Sequence, residues 1–228
     1  DELGWHPDPD DPTKTGTELD FDSAHHCDRV GDGPDADLGA LQNTSKYVRA
    51  RLDEAVAYAE DEVYGRALLA LGQGLHGLQD CFSHTDAVEK GGDVPDQLAR
   101  AMLEGTGFPD VRVMGVDPES DEPGAPANDT FPHDSHNHDA HDTTPAAMAQ
   151  RGAKTGHELA MEHATAATVL YFEAFKQQVG NDTWQEVVET KAESPNTWIP
   201  VSVWPTFLAV AAVALLAGFA AGCAQPQK

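Results

Sequence analysis

The stretch Ala67-Leu-Leu-Ala-Leu-Gly-Gln-Gly-Leu-His-Gly-Leu-Gln-Asp-Cys-Phe-Ser-His-Thr-Asp86 decides how this chain folds. Read as a helix, it sets His76, Asp80 and His84 at i, i+4 and i+8, one above another on a single face. Leu71, Leu75, Leu78 and Phe82 fall on neighbouring faces, where they bury the helix beside that stripe. Two imidazoles and a carboxylate in register suit a zinc-like cation, so Zn2+ is the expected cofactor. The alternative is a polar stripe on an amphipathic helix whose histidines are merely solvated.

On the N-terminal side, Thr44 or Ser45 is suited to cap a first helix through about Glu60, with Tyr47, Leu52, Val56 and Ala57 along one side. The helix with the His/Asp triplet follows from about Glu62 to His84. Its glycines, Gly65, Gly72, Gly74 and Gly77, each cost about 1 kcal/mol relative to Ala inside a helix. They point to close helix packing or close approach to the site. Further helices are expected from Pro95 to Leu103, from Pro145 to about Val179, and from Asp182 to Ala192. No strand pattern and no internal repeat stands out. The expected fold class is all-α: a helical metal-binding domain over 37–192, with an irregular acidic segment, 1–36, packed on it.

Within that domain, residues 105–144 lose clear periodicity and turn to Pro, Gly, Asp and His. A structureless segment of that length inside a compact domain is usually functional or disordered. It includes Phe131-Pro-His-Asp-Ser-His-Asn-His-Asp-Ala-His-Asp142, whose His133, His136 and His141 are candidate ligands beside His138. A solvated polar loop is the plain reading of the same residues. The long helix after it brings His157 and Glu158 as further candidates, with Glu162 and His163 one turn on.

The formal charge is -25, from 39 acidic against 14 basic residues. Such a surface repels nucleic-acid phosphates, so no nucleic-acid partner is expected. The acidic residues are spread along the chain rather than gathered in one tail, and lysine is scarce, at seven residues. That distribution fits the solvated surface of a protein from a salty environment. Towards the C-terminus, no charged residue occurs between Glu193 and Lys228, and Val203 to Cys223 is almost wholly apolar. About 20 such residues suffice to cross a bilayer core as a helix. Trp198 and Trp204 precede the run, where interfacial aromatics often sit. The expectation is a linker at 193–202, a membrane span at 203–223 and a short tail at 224–228, with the acidic domain outside the cell. The start at Asp1 fits a mature exported chain or a trimmed one. Sequons at Asn43, Asn128 and Asn181 permit glycosylation in that setting.

With Cys223 in the span, Cys27 and Cys81 remain as a pair expected to oxidise outside the cell. Cys27 lies between His26 and Asp28, and Cys81 follows Asp80. A disulfide holds its two Cα atoms about 5.5 Å apart, and so would bring His26 and Asp28 beside the triplet helix. A free thiol or a zinc thiolate is the alternative.

Gly74-Leu-His-Gly-Leu-Gln-Asp-Cys-Phe-Ser-His-Thr-Asp86 resembles the Leu-His-x-x-x-Asp-x-x-x-His segment of the zinc-dependent phospholipase C and single-strand nuclease superfamily. It is most similar to the heterokaryon-incompatibility-C-like branch. Upstream, Phe21-Asp-Ser-Ala-His-His-Cys-Asp28 resembles that branch's His-x-Asp segment, through His26 and Asp28. The resemblance spans about residues 20–175 and implies a helical fold with up to three zinc ions that hydrolyse phosphate esters. The chain departs from the enzymes of that superfamily at three places. It begins with Asp1 rather than a ligating N-terminal Trp, His84 lies four rather than six positions after Asp80, and His157 is followed four positions later by Met161. One or two metals are therefore as open as three.

The function these features lead to is a membrane-anchored, exported phosphoesterase of the phospholipase C type, acting on a phospholipid or another phosphodiester. Zinc would lower the pKa of a water towards 7, with Asp80 or Asp28 bridging metals or acting as base. The competing function is a non-catalytic, metal-stabilised surface domain that serves as a structural or partner-binding subunit of a membrane assembly. Metal capture by the His/Asp-rich loop is a third.

Overall fold

The computed structural model describes residues 23–30, 35–116, 131, 136–138 and 144–190. Helices dominate: α1 (Ser23–His26), α2 (Ala36–Glu60), α3 (Tyr64–Ser83), α4 (Ala87–Lys90), α5 (Val94–Glu104), α6 (Pro145–Met148) and α7 (Gly156–Glu189). Between them lie four two-residue strands, β1 (Arg29–Val30), β2 (Gly115–Val116), β3 (Gln150–Arg151) and β4 (Lys154–Thr155). The all-α expectation holds. The strands escaped sequence reading because two residues are too few for a period-two alternation to show.

The apolar faces of α2, α3 and α7 meet in one core, closed at one side by α5. Val48, Leu52 and Ala55 of α2 face Leu71, Leu75, Leu78 and Phe82 of α3 across it, with Tyr171 and Phe175 from α7 and Leu98 and Met102 from α5. α3 sits in the middle and touches both long neighbours, which is why its sequence is the most apolar and the richest in glycine. At Gly74 an added Cβ would lie 2.3 Å from the Tyr171 hydroxyl and 2.9 Å from Arg51 Cβ. At Gly77 it would meet the His25 carbonyl at 3.1 Å and Tyr47 Cδ1 at 3.4 Å. The expected close approaches are therefore real at these two positions. Gly72 has nothing within 4 Å.

Three boundaries differ from the sequence reading. α2 starts at Ala36, eight residues ahead of the expected cap at Thr44. Thr44 and Ser45 are buried in the helix interior instead, and the Ser45 hydroxyl donates to the Met102 carbonyl of α5 at 2.8 Å. The helix expected from Pro145 is really α6, a β3–β4 hairpin and then α7. Gly152 turns the hairpin at φ 70°, and Thr155 and Glu158 form a reciprocal capping box that starts α7. That Thr-x-x-Glu signature was present in the sequence. Gly180, at φ 82°, breaks α7 where a separate last helix was expected.

The loop regions are tied down by polar contacts. β1 and β2 pair in parallel, Arg29 opposite Gly115, and Thr85 bridges Val113. Asp86 accepts from the Arg112 main-chain N–H at 2.8 Å and from Arg112 Nε at 3.2 Å. These links draw the residues after α5 back across the C-terminal end of α3, beside α1. No helix among the described residues is long and apolar enough to cross a membrane. The expected span at 203–223, its linker and tail, the segment 1–22 and the sequon at Asn128 lie outside the described residues.

Candidate metal centre

Three side chains from two elements converge where α1 meets the C-terminal half of α3. His76 and Asp80 stand one turn apart on α3, and His26 ends α1 directly above them. His26 Nδ1 lies 3.3 Å from Asp80 Oδ2 and 3.2 Å from His76 Nε2, and His76 Nε2 lies 3.3 Å from Asp80 Oδ2. The three atoms make a nearly equilateral triangle. Zinc bonds nitrogen and oxygen at about 2.0–2.1 Å, so two vertices of its tetrahedron are about 3.3–3.4 Å apart. The triangle is thus one face of a zinc-sized tetrahedron, and the fourth vertex belongs to no described His, Cys, Asp or Glu. Two neutral imidazoles and one carboxylate carry a single negative charge. With a divalent cation the centre would be net positive, against a strongly acidic whole.

The local sequence explains how His26 arrives. Cys27 has a left-handed backbone, φ 55°, which reverses the chain immediately after α1. Its sulfur is paired with Cys81, with the Cα atoms 5.1 Å apart, and both cysteines are fully buried. The expected disulfide is therefore present. Gly77 lets the α1 backbone lie against α3 one residue from His76. On the far side, His84 Nδ1 donates to the His26 carbonyl at 2.6 Å and lies 3.2 Å from Asp28 Oδ1.

His84 and Asp28 thus fall outside the triangle. Their side chains are 5 % and 1 % exposed, against 51 % for His76, 38 % for His26 and 17 % for Asp80. The i+8 spacing placed His84 on the stripe correctly by helical geometry, but α3 ends at Ser83. His84 turns inward to brace α1 instead of continuing the row. Asp28, read as a possible base, is its buried partner.

The other sequence candidates have separate settings. His157 Nδ1 donates to the His138 carbonyl at 2.7 Å. Glu158 accepts from the Thr155 N–H at 2.7 Å within the capping box, so its carboxylate serves the start of α7. Glu162 pairs with Lys154, and His163 stacks on Phe82. His136 packs against Phe131, ring centroids 4.6 Å apart. His133 and His141 lie outside the described residues.

One residue of the His/Asp-rich loop carries more structure than its sequence suggested. His138 is 1 % exposed, its main-chain N–H and Nδ1 both directed at the Ser83 carbonyl, at 3.0 and 3.1 Å. Its Nε2 lies 2.8 Å from Glu89 Oε1, which also meets Arg151. Burial pushes the Glu89 carboxyl up, but the His138 hydrogen bond and charge, with Arg151, hold it below its usual value. No signal distinguished His138 from its three loop neighbours, because burial is a property of the folded chain.

Electrostatics at the triangle follow from its geometry. Burial alone would lower the His26 pKa, but the Asp80 hydrogen bond and charge, and the charge of Asp28, raise it above 6.5. In the metal-free centre Asp80 and Asp28 thus favour the protonated ring of His26, the form that a cation would displace. Comparison with family models, with curated proteins and with solved structures gave no match for this chain.

Proposed function

We propose that this protein is a metal-dependent phosphodiester hydrolase of the phospholipase C type, with His26, His76 and Asp80 holding a zinc ion. The observation that carries this reading is the triangle of donor atoms at 3.2–3.3 Å, with the His76 side chain half exposed and no fourth donor among the described residues. Structural zinc sites are closed by four protein ligands, whereas catalytic ones keep a position for water or substrate. A zinc ion in this group supplies acidification of water and positive charge for a phosphate oxygen. The chain's own part is to orient and to tune. Asp80, one corner of the triangle, would hold the ion through Oδ2, leaving its second carboxylate oxygen to accept a proton from a nearby water. His84 and Asp28 hold the His26 backbone, and the exposed His76 face admits a bulky ester.

Export to an oxidising compartment is supported by the Cys27–Cys81 pairing. Tethering to a membrane is supported by the apolar run 203–223, which would keep the centre near lipid head groups. A second reading is a metal-stabilised surface domain without turnover. It is favoured by the diversion of Glu158 to a helix cap and of His84 to a brace, which leaves three donors among the described residues where the resembling enzymes use more.

The test is zinc content and bis(p-nitrophenyl) phosphate hydrolysis by the purified domain in high salt, for wild type and His76→Ala. Stoichiometric zinc with turnover, both lost in the variant, is expected. Zinc without turnover on this ester or on phospholipid vesicles establishes the second reading, and no zinc at all refutes both.

A further inference from the structure

The two disulfide-bonded cysteines each sit next to a metal-centre residue: Cys27 follows His26, and Cys81 follows Asp80. We infer that the Cys27–Cys81 disulfide is a positioning element of the metal centre, which is complete only in the oxidised chain. This inference rests on the metal-binding reading above.

The argument is one of segments. His76 and Asp80 belong to a 20-residue helix whose apolar residues lie in the main core, so their i, i+4 pairing survives without the disulfide. His26 belongs to α1, a four-residue helix, and a helix that short has no stability of its own. It is held to α3 by the covalent bond one residue away and by the hydrogen bond from His84, just past the helix end, to its carbonyl, and to α2 by the contact of His25 with Tyr47. The left-handed φ of Cys27 is a conformation that a non-glycine residue adopts at a cost of about 1 kcal/mol or more, and persists only where its surroundings enforce it. The bond to Cys81 enforces it. Once it is broken, Cys27 is free to return to an ordinary backbone, and His26 swings off the triangle.

The sulfurs themselves are not replacement ligands. Cys81 Sγ points to the Gly77 carbonyl at 3.3 Å and towards Met102 Sδ at 3.8 Å, inside the core, and neither cysteine joins the group of donors. In the redox step a dithiol reductant gives two electrons and two protons. The S–S bond breaks, Cys27 and Cys81 become thiols, and the reductant closes to its own disulfide. What remains for a cation is the His76/Asp80 half-site. The chain would therefore acquire its metal after oxidation, not in a reducing compartment.

Coupling of this kind is reciprocal: if oxidation raises metal affinity, metal must make the disulfide harder to reduce by the same factor. A tenfold affinity ratio corresponds to about 30 mV for this two-electron couple. The test titrates Zn2+ and Co2+ into oxidised wild type, His76→Ala, and the double variant Cys27→Ala/Cys81→Ala, with helicity followed by circular dichroism. Alongside it, the disulfide midpoint potential of wild type is measured with and without Zn2+. Oxidised wild type is expected to bind about tenfold more tightly, or better, than a folded double variant. Its midpoint should become more negative by about 30 mV or more with Zn2+. Should the double variant fail to fold, the potential shift alone decides, since a purely structural disulfide would show none. Equal affinities, an unshifted potential, or thiolate-to-cobalt charge transfer with tighter binding in the reduced protein would overturn the inference. An oxidised wild type that binds no metal overturns the underlying reading instead.

Discussion

At the scale of single residues, His26 is where proton and metal compete. Its pKa is raised in the metal-free protein by Asp80 and Asp28 against the opposing effect of burial. A histidine whose folded pKa is raised stabilises the folded state below its unfolded value of about 6.5, and that contribution is lost as pH rises through the higher folded value. Zinc needs the neutral ring, so the stabilisation it brings has the opposite slope and grows as pH rises through the same range. Thermal unfolding from pH 5.5 to 8.5, with and without Zn2+, should therefore give two curves that diverge towards alkaline pH. In Asp80→Asn without metal, the His26 titration followed by NMR should move down, because its hydrogen bond and charge partner is gone. A zinc effect independent of pH, or an unmoved His26, would contradict the geometry of the triangle. His76 and Asp80 were legible because helical spacing is a local property of sequence. His26 was legible from its position beside a cysteine and from the likeness of residues 21–28 to a His-x-Asp segment. The inward turn of His84 was not, since it depends on where α3 stops and on what α1 offers at that point.

At the scale of elements, α3 carries two glycines two residues apart with opposite consequences. Gly72 is exposed and an added methyl meets nothing within 4 Å. Gly72→Ala should stabilise the protein by about 0.5–1 kcal/mol, the helix-propensity difference. At Gly74 the same methyl would fall 2.3 Å from the hydroxyl of Tyr171, a fully buried side chain on α7. The ring has nowhere to retreat. Gly74→Ala should cost about 1–3 kcal/mol, in the range of overpacked cores, after subtraction of the propensity gain. Urea unfolding of the two variants checks both signs, and two stabilising or two neutral outcomes would mean that α2, α3 and α7 do not meet as described. Four glycines in one helix already told of close packing, but not which of them served it. That depends on which face of α3 meets Tyr171 and α1, information that resides in other parts of the chain. The same limit explains α6 and the hairpin. The capping box at Thr155 and Glu158 was readable, but Glu158 drew attention as a metal ligand, and a carboxylate at the third position of a helix serves its own cap first.

At the scale of the whole molecule, charge is the dominant fact. A formal charge of -25 on 228 residues opposes the compact state, because folding brings carboxylates closer than they lie in the extended chain. Salt weakens that repulsion as the Debye length falls from about 10 Å at 0.1 M to about 3 Å at 1 M. The melting temperature should climb with NaCl across this range and level off beyond it, when screening is shorter than the spacing of surface charges. The size of the effect is pH-dependent. Near the sequence pI of about 4.5 the histidines are charged and about a third of the carboxylates are neutralised, so the net charge vanishes and the NaCl effect should shrink, whereas sucrose, which acts through exclusion from the surface, should stabilise similarly at both pH values. A melting temperature indifferent to NaCl at pH 7.5 would remove the basis for a salt-adapted surface. The same field acts on substrate. A phosphodiester approaching the His26/His76/Asp80 centre meets net negative potential everywhere except at the cation, so its capture is slowed at low salt and recovers as the surface is screened. For the hydrolase proposed here, KM for an anionic ester should fall as NaCl rises from 0.1 to 1 M while kcat changes little, since the charges that screen lie outside the triangle. Enzymes that steer anions with a basic surface show the reverse dependence, so the slope of KM against salt reports whether the metal alone attracts the phosphate.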